Sequence, residues 1–318
     1  MTPSISGAEL LKKPTQGKET KMLGRLLTAM LTPFAHDGSI NYFEAGRIAK
    51  HLVEIGNDGV VVCGTTGESP ALETAEKLRL FEVVKTSLGA RGTVIAGTGG
   101  NKTHHSVELT REAAKCGVDA ILAVVPYYNK PTQDGMLRHF GAIAEATKLP
   151  IVVYNIPGRT GANMLPATLK TLQDRYANIA GVKDSTSDIA QMTEILRDRR
   201  DGFVFYSGDD HMFLPILSIG GDGLVGVASH LCAPQFKQMI QAYDGGDVAR
   251  AAKIHRELAP LFATLFATTS PIPIKWAMAQ LGWDVGVCRS PLGMMPDDLK
   301  PRLSGLLEAY RTTRAAAV

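Results

Sequence analysis

The sequence predicts an α/β protein, a closed (β/α)8 barrel followed by a C-terminal helical extension. Three observations carry that expectation. Eight short apolar or β-branched runs recur along the chain, longer segments of helical period separate them, and the runs stop after about residue 244. At 318 residues the chain exceeds a typical single domain but suits one barrel plus an appendage.

The strand runs are LLTAML at 26–31, GVVVC at 59–63, TVIAG at 93–97, AILAVV at 120–125, IVVYN at 151–155, IAGVK at 179–183, FVFYS at 203–207 and GLVGV at 223–227. Their near-continuous apolar character is what a parallel sheet covered by helices on its outer face requires. Apolar residues at three- and four-residue spacing mark helices between the strands, for example at 42–55, 75–88, 106–116, 136–147 and 189–199. Eight strands close a barrel. An open doubly wound sheet is the rival, and it wants a dinucleotide fingerprint after an early strand. The nearest segment, Gly97-Thr98-Gly99-Gly100, lacks a third glycine at the right offset, so a TIM barrel is favoured. Farther on, 247–268, 273–281 and 296–316 read as helices punctuated by Pro and Gly. The expected organisation is a flexible arm at 1–22, the barrel at 23–244 and the helical extension at 245–318.

Composition narrows the function classes. The chain is 45% hydrophobic and 20% charged, with mean hydropathy of +0.01, as in an ordinary globular protein. A net charge of +3 leaves no spare basic field for nucleic acid or a membrane surface. Cys63, Cys116, Cys232 and Cys288 form no CxxC pair, which argues against a zinc ribbon or redox motif and for reduced thiols. No apolar run approaches the roughly 20 residues of a membrane span, and residues 1–22 lack the apolar core of a signal peptide. The expectation is a soluble cytoplasmic protein.

Catalytic groups of such barrels lie at the C-terminal strand ends and in the loops that follow. Read in turn, those positions hold Gly64-Thr65-Thr66-Gly67-Glu68-Ser69 after the second strand and Pro126-Tyr127-Tyr128-Asn129-Lys130-Pro131 after the fourth. The fifth ends in Tyr154-Asn155-Ile156-Pro157-Gly158-Arg159-Thr160-Gly161, the sixth in Lys183 and the seventh in Ser207-Gly208-Asp209-Asp210. A lysine ending an apolar strand either snorkels into solvent or points inward. Burial disfavours an ammonium and favours the free amine, the form that attacks a carbonyl. Three polar constellations converging on one barrel mouth favour the inward reading.

The strings GTTGES at 64–69, PYYNKPTQ at 126–133, YNIPGRTG at 154–161 and GVKDS at 181–185 resemble the pyruvate-dependent class I aldolase superfamily. That superfamily includes the dihydrodipicolinate synthases and the N-acetylneuraminate lyases. The likeness runs from about residue 23 to 312, and YNIPGRTG with the double threonine sides with the synthase branch. The resemblance implies that Lys183 forms an imine with pyruvate, so that no metal or organic cofactor is needed. It implies that Tyr154 is the general acid/base, joined by Thr65 and Tyr128 in a hydroxyl relay, with Tyr128 supplied by a neighbouring subunit. A relay is chemically reasonable, because a phenol is a poor base unless hydrogen-bonded partners stabilise its phenolate. By the same likeness Thr66 binds the pyruvate carboxylate, and Arg159, whose guanidinium fork suits a carboxylate, binds that of L-aspartate-4-semialdehyde. Gly208 and Val225 match backbone positions lining the pyruvate site. The branch is usually a homotetramer built as a dimer of dimers.

Two departures stand out: Ser270 where the family commonly has Asn, and Asp184 where it often has Glu. The lysine-inhibited members bind lysine with residues matching Ser69, Pro70, Thr74, Lys77, Asn101, His105 and Tyr127. Here a cation at Lys77 and a histidine in place of a carboxylate at His105 imply weak or absent feedback by lysine. Other readings remain open from the residues. The nearest is an aldolase or dehydratase acting on a 2-keto-3-deoxy sugar acid. A metal-dependent aldolase would use Asp209, Asp210, His211, His104 and His105, although Asp210 also reads as a helix N-cap. A non-catalytic barrel would have no reason to keep a buried lysine.

Overall fold

The eight strands pair in parallel in strict sequence order, and the last returns to the first, so the sheet has no edge. The computed structural model describes residues 23–315, so the expected arm at 1–22 and the last three residues of the extension lie outside the described residues. The strands are β1 (Leu26–Ala29), β2 (Gly59–Val62), β3 (Thr93–Gly97), β4 (Ala120–Val124), β5 (Ile151–Asn155), β6 (Ile179–Asp184), β7 (Val204–Ser207) and β8 (Gly223–Gly226). Several stop one or two residues short of the apolar runs that predict them, because each chain turns out of the ladder at the rim to begin a loop.

Helices α1 (Tyr42–Glu54), α2 (Thr74–Leu88), α3 (Thr103–Lys115) and α4 (Gln133–Glu145) fill the first crossovers. The short turn α5 (Pro157–Thr160) precedes α6 (Pro166–Arg175), and α7 (Ile189–Asp198), α8 (Phe213–Ser218) and α9 (Ser229–Asp244) complete the ring. Side-chain caps start several of them: Asn41 accepts from Glu44 N, Thr132 from Gly135 N and Asp188 from Gln191 N. Each such cap stabilises its helix by about 1 kcal/mol. Two full-length helices escape the periodicity reading. Helix α6 is short and polar but opens on Pro166, which is a start signal. Helix α9 contains Pro234 and a non-helical Cys232, so its pattern is broken where the chain kinks.

The extension is α10 (Val248–Leu265), α11 (Ile272–Gln280) and α12 (Lys300–Ala315). It packs back on the barrel chiefly through α10, whose Phe262 stacks on Phe236 of α9 with centroids 5.6 Å apart and planes 8° from parallel. Such a pair adds about 0.5–1.5 kcal/mol beyond its area burial. Among the described residues no helix is long and apolar enough to cross a membrane.

Two apolar clusters follow from strand alternation. Leu27, Ala29, Val61, Ile95, Leu122, Val152 and Val225 fill the barrel interior. Leu26, Val60, Val62, Val94, Ile121, Val153 and Val182 face the helices in the larger outer cluster. The alternation decides where the end of each strand points. Val153 and Val182 face outward, so Tyr154 and Lys183 face inward.

Candidate active site

Tyr154 and Lys183 are register partners across β5 and β6. Both are 4% exposed, and the Lys183 Nζ sits 4.2 Å from the centroid of the Tyr154 ring. Parallel strand pairing at the mouth of the barrel thus delivers an amine and a phenol to one place by backbone hydrogen bonding. Gly208, just after β7, closes the other side. A Cβ there would lie 1.9 Å from Ser185 Oγ and 3.1 Å from Lys183 Cε, so only glycine lets the loop approach the lysine stem this closely. Val225 is buried in the barrel interior, in register with Leu27.

The turn after β2 brings Thr65 and Thr66 to the same rim. It is tight: Glu68 N donates to Thr65 O at 3.0 Å, and Thr32 Oγ1 donates to Gly67 O at 2.7 Å. Both Cys63 (φ 56°) and Glu68 (φ 55°) adopt left-handed backbone there. Non-glycine residues hold that conformation at a cost of order 1–3 kcal/mol when the surroundings over-determine it. Thr66 is buried, whereas Thr65 is half-buried and lines a cleft of about 380 Å3 together with Tyr154 and Arg159. Arg159 is exposed on α5, and its Nη2 donates to the carbonyl of Ser270 at 3.3 Å. Ser270 therefore supports Arg159 through its backbone, whatever its side chain. Thr160 holds α5 in place, its hydroxyl meeting the carbonyls of Ile156 and Ala162.

Not every expected residue joins this group. Lys183, Thr66, Gly208 and Val225 do not line the cleft; Lys183 meets it through the Tyr154 ring. Tyr128 points away, 89% exposed, on a left-handed backbone (φ 74°) whose N–H donates to Thr160 O at 3.3 Å. The candidate metal ligands scatter to other partners. His104 pairs with Glu108, His105 Nε2 lies 3.0 Å from Thr74 Oγ1, and Asp210 accepts from the backbone N–H groups of Val227 and Ala228. The expectation that Asp210 caps its own helix is corrected: it makes no cap bond there but holds the chain entering α9.

Three carboxyl groups, the buried Asp184 and Asp210 and the half-buried Asp209, lie at the ends of β6 and β7, a set not apparent from the order of residues. Burial raises the carboxyl of Asp209, against the pull of Lys183 and His211. It also lifts Asp210 to about 6, although the Ala228 and Val227 N–H groups favour its charged form. Asp184, facing outward beside Lys183, is likewise pushed up to about 6 by burial, partly countered by the hydroxyl and N–H of Thr186. A carboxyl raised in the folded state stabilises the fold below its unfolded value of 3.8, and that stability is lost as pH rises through 6. Asp184→Asn is therefore expected to raise unfolding free energy by about 1–3 kcal/mol at pH 7.5 and by nearly nothing at pH 4. Urea unfolding at the two pH values measures this, and an equal gain at both would contradict it.

Also outside the sequence reading is a buried ion pair between Lys275 of α11 and Glu68, at 2.6 Å. The sequence signals the burial but not the pairing: Lys275 is the lone charge of the apolar helix IPIKWAMAQ, and Glu68 sits in the GTTGES turn.

Comparison with known proteins agrees with this geometry. Residues 22–310 match the family model described as the Dihydrodipicolinate synthetase family. A 4-hydroxy-tetrahydrodipicolinate synthase of Prochlorococcus marinus (strain MIT 9301) is 49% identical over 289 residues, 91% of this chain and 96% of that protein. One from Symbiobacterium thermophilum is 51% identical over 269 residues, covering 85% and 92%. Among solved structures, a dihydrodipicolinate synthase of Bacillus anthracis superposes with a TM-score of 0.88 at 41% identity, over 90% of this chain and 98% of that one. The enzyme of Cyanidioschyzon merolae with lysine bound gives 0.89 at 43%, over 91% and 98%. An inward lysine and tyrosine in register, beside a double-threonine turn, thus occur in a chain that belongs to the dihydrodipicolinate synthetase family.

Proposed function

We propose that this enzyme, a lyase, condenses pyruvate with L-aspartate-4-semialdehyde, the reaction of a 4-hydroxy-tetrahydrodipicolinate synthase, on the route to diaminopimelate and lysine. The observation that carries the reading is the inward register pair of Tyr154 and Lys183. The Lys183 amine attacks C2 of pyruvate and water is lost, leaving an imine whose nitrogen accepts electrons when a methyl proton departs. The resulting enamine carbon attacks the aldehyde, and Tyr154 passes the proton that the new alkoxide needs. Thr66 holds the pyruvate carboxylate, Gly208 and Val225 line its site, and Arg159 at the mouth of the cleft receives the carboxylate of the semialdehyde. No metal or organic cofactor takes part, so activity is expected to survive a strong chelator. Arg159 favours an acidic aldehyde over the polyhydroxylated partner of a sugar-acid aldolase.

Tyr128 supports assembly. An aromatic side chain 89% exposed on a strained backbone suits insertion into a second subunit's site, where it would join Thr65 and Tyr154 in a proton relay. We take the working form to be a homotetramer, a dimer of dimers, in the cytoplasm. Borohydride reduction with pyruvate should fix an adduct on Lys183, and a coupled assay should then prefer aspartate semialdehyde to glyceraldehyde or N-acetylmannosamine. Absence of an adduct would end this reading.

Feedback by lysine is expected to be weak. The cleft places Lys77 among Ser69, Asn101, His105 and Tyr127, and burial lowers its pKa, partly countered by the nearby Glu73 carboxylate. Lys77 and His105 line it and, among the described residues, no carboxylate does, so a ligand ammonium finds no opposite charge there. Half-maximal inhibition of the purified enzyme by sub-millimolar lysine would overturn this.

A further inference from the structure

The threonine turn is not held by the barrel alone. Its last residue, Glu68, is 2% exposed, and each of its carboxylate oxygens is taken by the C-terminal extension. Oε1 accepts from Lys275 Nζ at 2.6 Å, and Oε2 accepts from Arg289 N at 2.8 Å. Lys275 is fixed in turn: its Nζ donates to Val287 O at 3.2 Å and lies 4.0 Å from the centroid of the Phe34 ring. Arg289 stacks on the same ring at 4.5 Å and is tied to Glu76 at the start of α2 through both Nη1 and Nη2. The loop bearing Thr65 and Thr66 is thus bolted at its far end to residues more than 200 positions later in the chain.

A buried ion pair of this kind gains little stability over apolar residues of equal volume, because both charges lose their hydration. It does fix direction. A carboxylate with both oxygens committed cannot rotate, and Glu68 is the residue whose left-handed backbone closes the turn on Thr65 O. We propose that Lys275 and Glu68 are positioning residues: their buried pair sets the Thr65–Thr66 turn at the height needed to receive the pyruvate carboxylate. This rests on the pyruvate reading above. It also separates the two substrates, since Arg159 meets the Ser270 backbone carbonyl and touches neither the Lys275 nor the Glu68 side chain.

The test compares the full-length wild type with Lys275→Met and with the neutral double variant Glu68→Gln/Lys275→Met. Pyruvate half-saturation is read by borohydride trapping, and KM for both substrates at steady state. The expected result is a rise in pyruvate half-saturation of about tenfold or more in both variants, since losing one hydrogen bond to a charged group weakens binding roughly 10- to 150-fold. The semialdehyde KM should stay within about twofold. The double variant should melt at a higher temperature than Lys275→Met, because no lone charge is left buried. The double variant decides the matter if the single one does not fold. Unchanged pyruvate half-saturation in the double variant overturns the proposal, as does an equal rise in both KM values or a double variant that cannot fold. A wild type that traps no pyruvate defeats the pyruvate reading instead, a different outcome.

Discussion

Lys183→Met is expected to abolish trapping of pyruvate and to lower kcat by at least about three orders of magnitude, with the barrel still folded. Methionine matches the lysine stem in length but has no amine, so the covalent route through an imine closes. With the carboxylate sites proposed at Thr66 and Arg159 left in place, proximity alone leaves a residue of rate far below the wild type. Intact mass after borohydride reduction, with circular dichroism to certify the fold, reads the outcome. A variant that retained a tenth of wild-type activity would show that the amine is not the nucleophile.

Arg159→Ala is expected to act on the other half of the reaction. Hydrogen bonds to a charged group contribute about 1.5–3 kcal/mol, which corresponds to roughly a 10- to 150-fold rise in KM for the semialdehyde. Pyruvate trapping on Lys183 should be unaffected, because the arginine stands at the cleft mouth on α5. Arg159→Lys should restore only part of the loss, since an ammonium lacks the planar fork. Equal losses with pyruvate alone would place Arg159 in the imine-forming step and remove the argument for an acidic aldehyde.

Much of this was legible from residue order. The eight apolar runs correspond to the eight strands, because a strand buried on both faces has to be apolar at nearly every position and so announces itself. Lys183 was visible as a charge ending such a run, although only the register with Tyr154 shows which way it points. Long-range pairings were less legible. Nothing local to Glu68 or Lys275 tells that they meet, since their partnership is made by the tertiary fold. Helix α9 is hard to read for the opposite reason: Pro234 and the kink at Cys232 erase the local periodicity, and packing against α10 supplies what propensity does not.

Closure of the barrel has a consequence for the order of events during synthesis. β1 lies against β8, with Leu27 opposite Val225, and Glu68 waits 207 residues for Lys275. At translation rates of 5–20 residues per second, that separation corresponds to roughly 10–40 s in which β1 has an unpaired edge and the threonine turn lacks its anchor in the extension. The growing chain therefore carries an adhesive strand border until β8 emerges and a half-supported threonine turn until Lys275 follows, so the turn is completed well after Lys183 itself has been made.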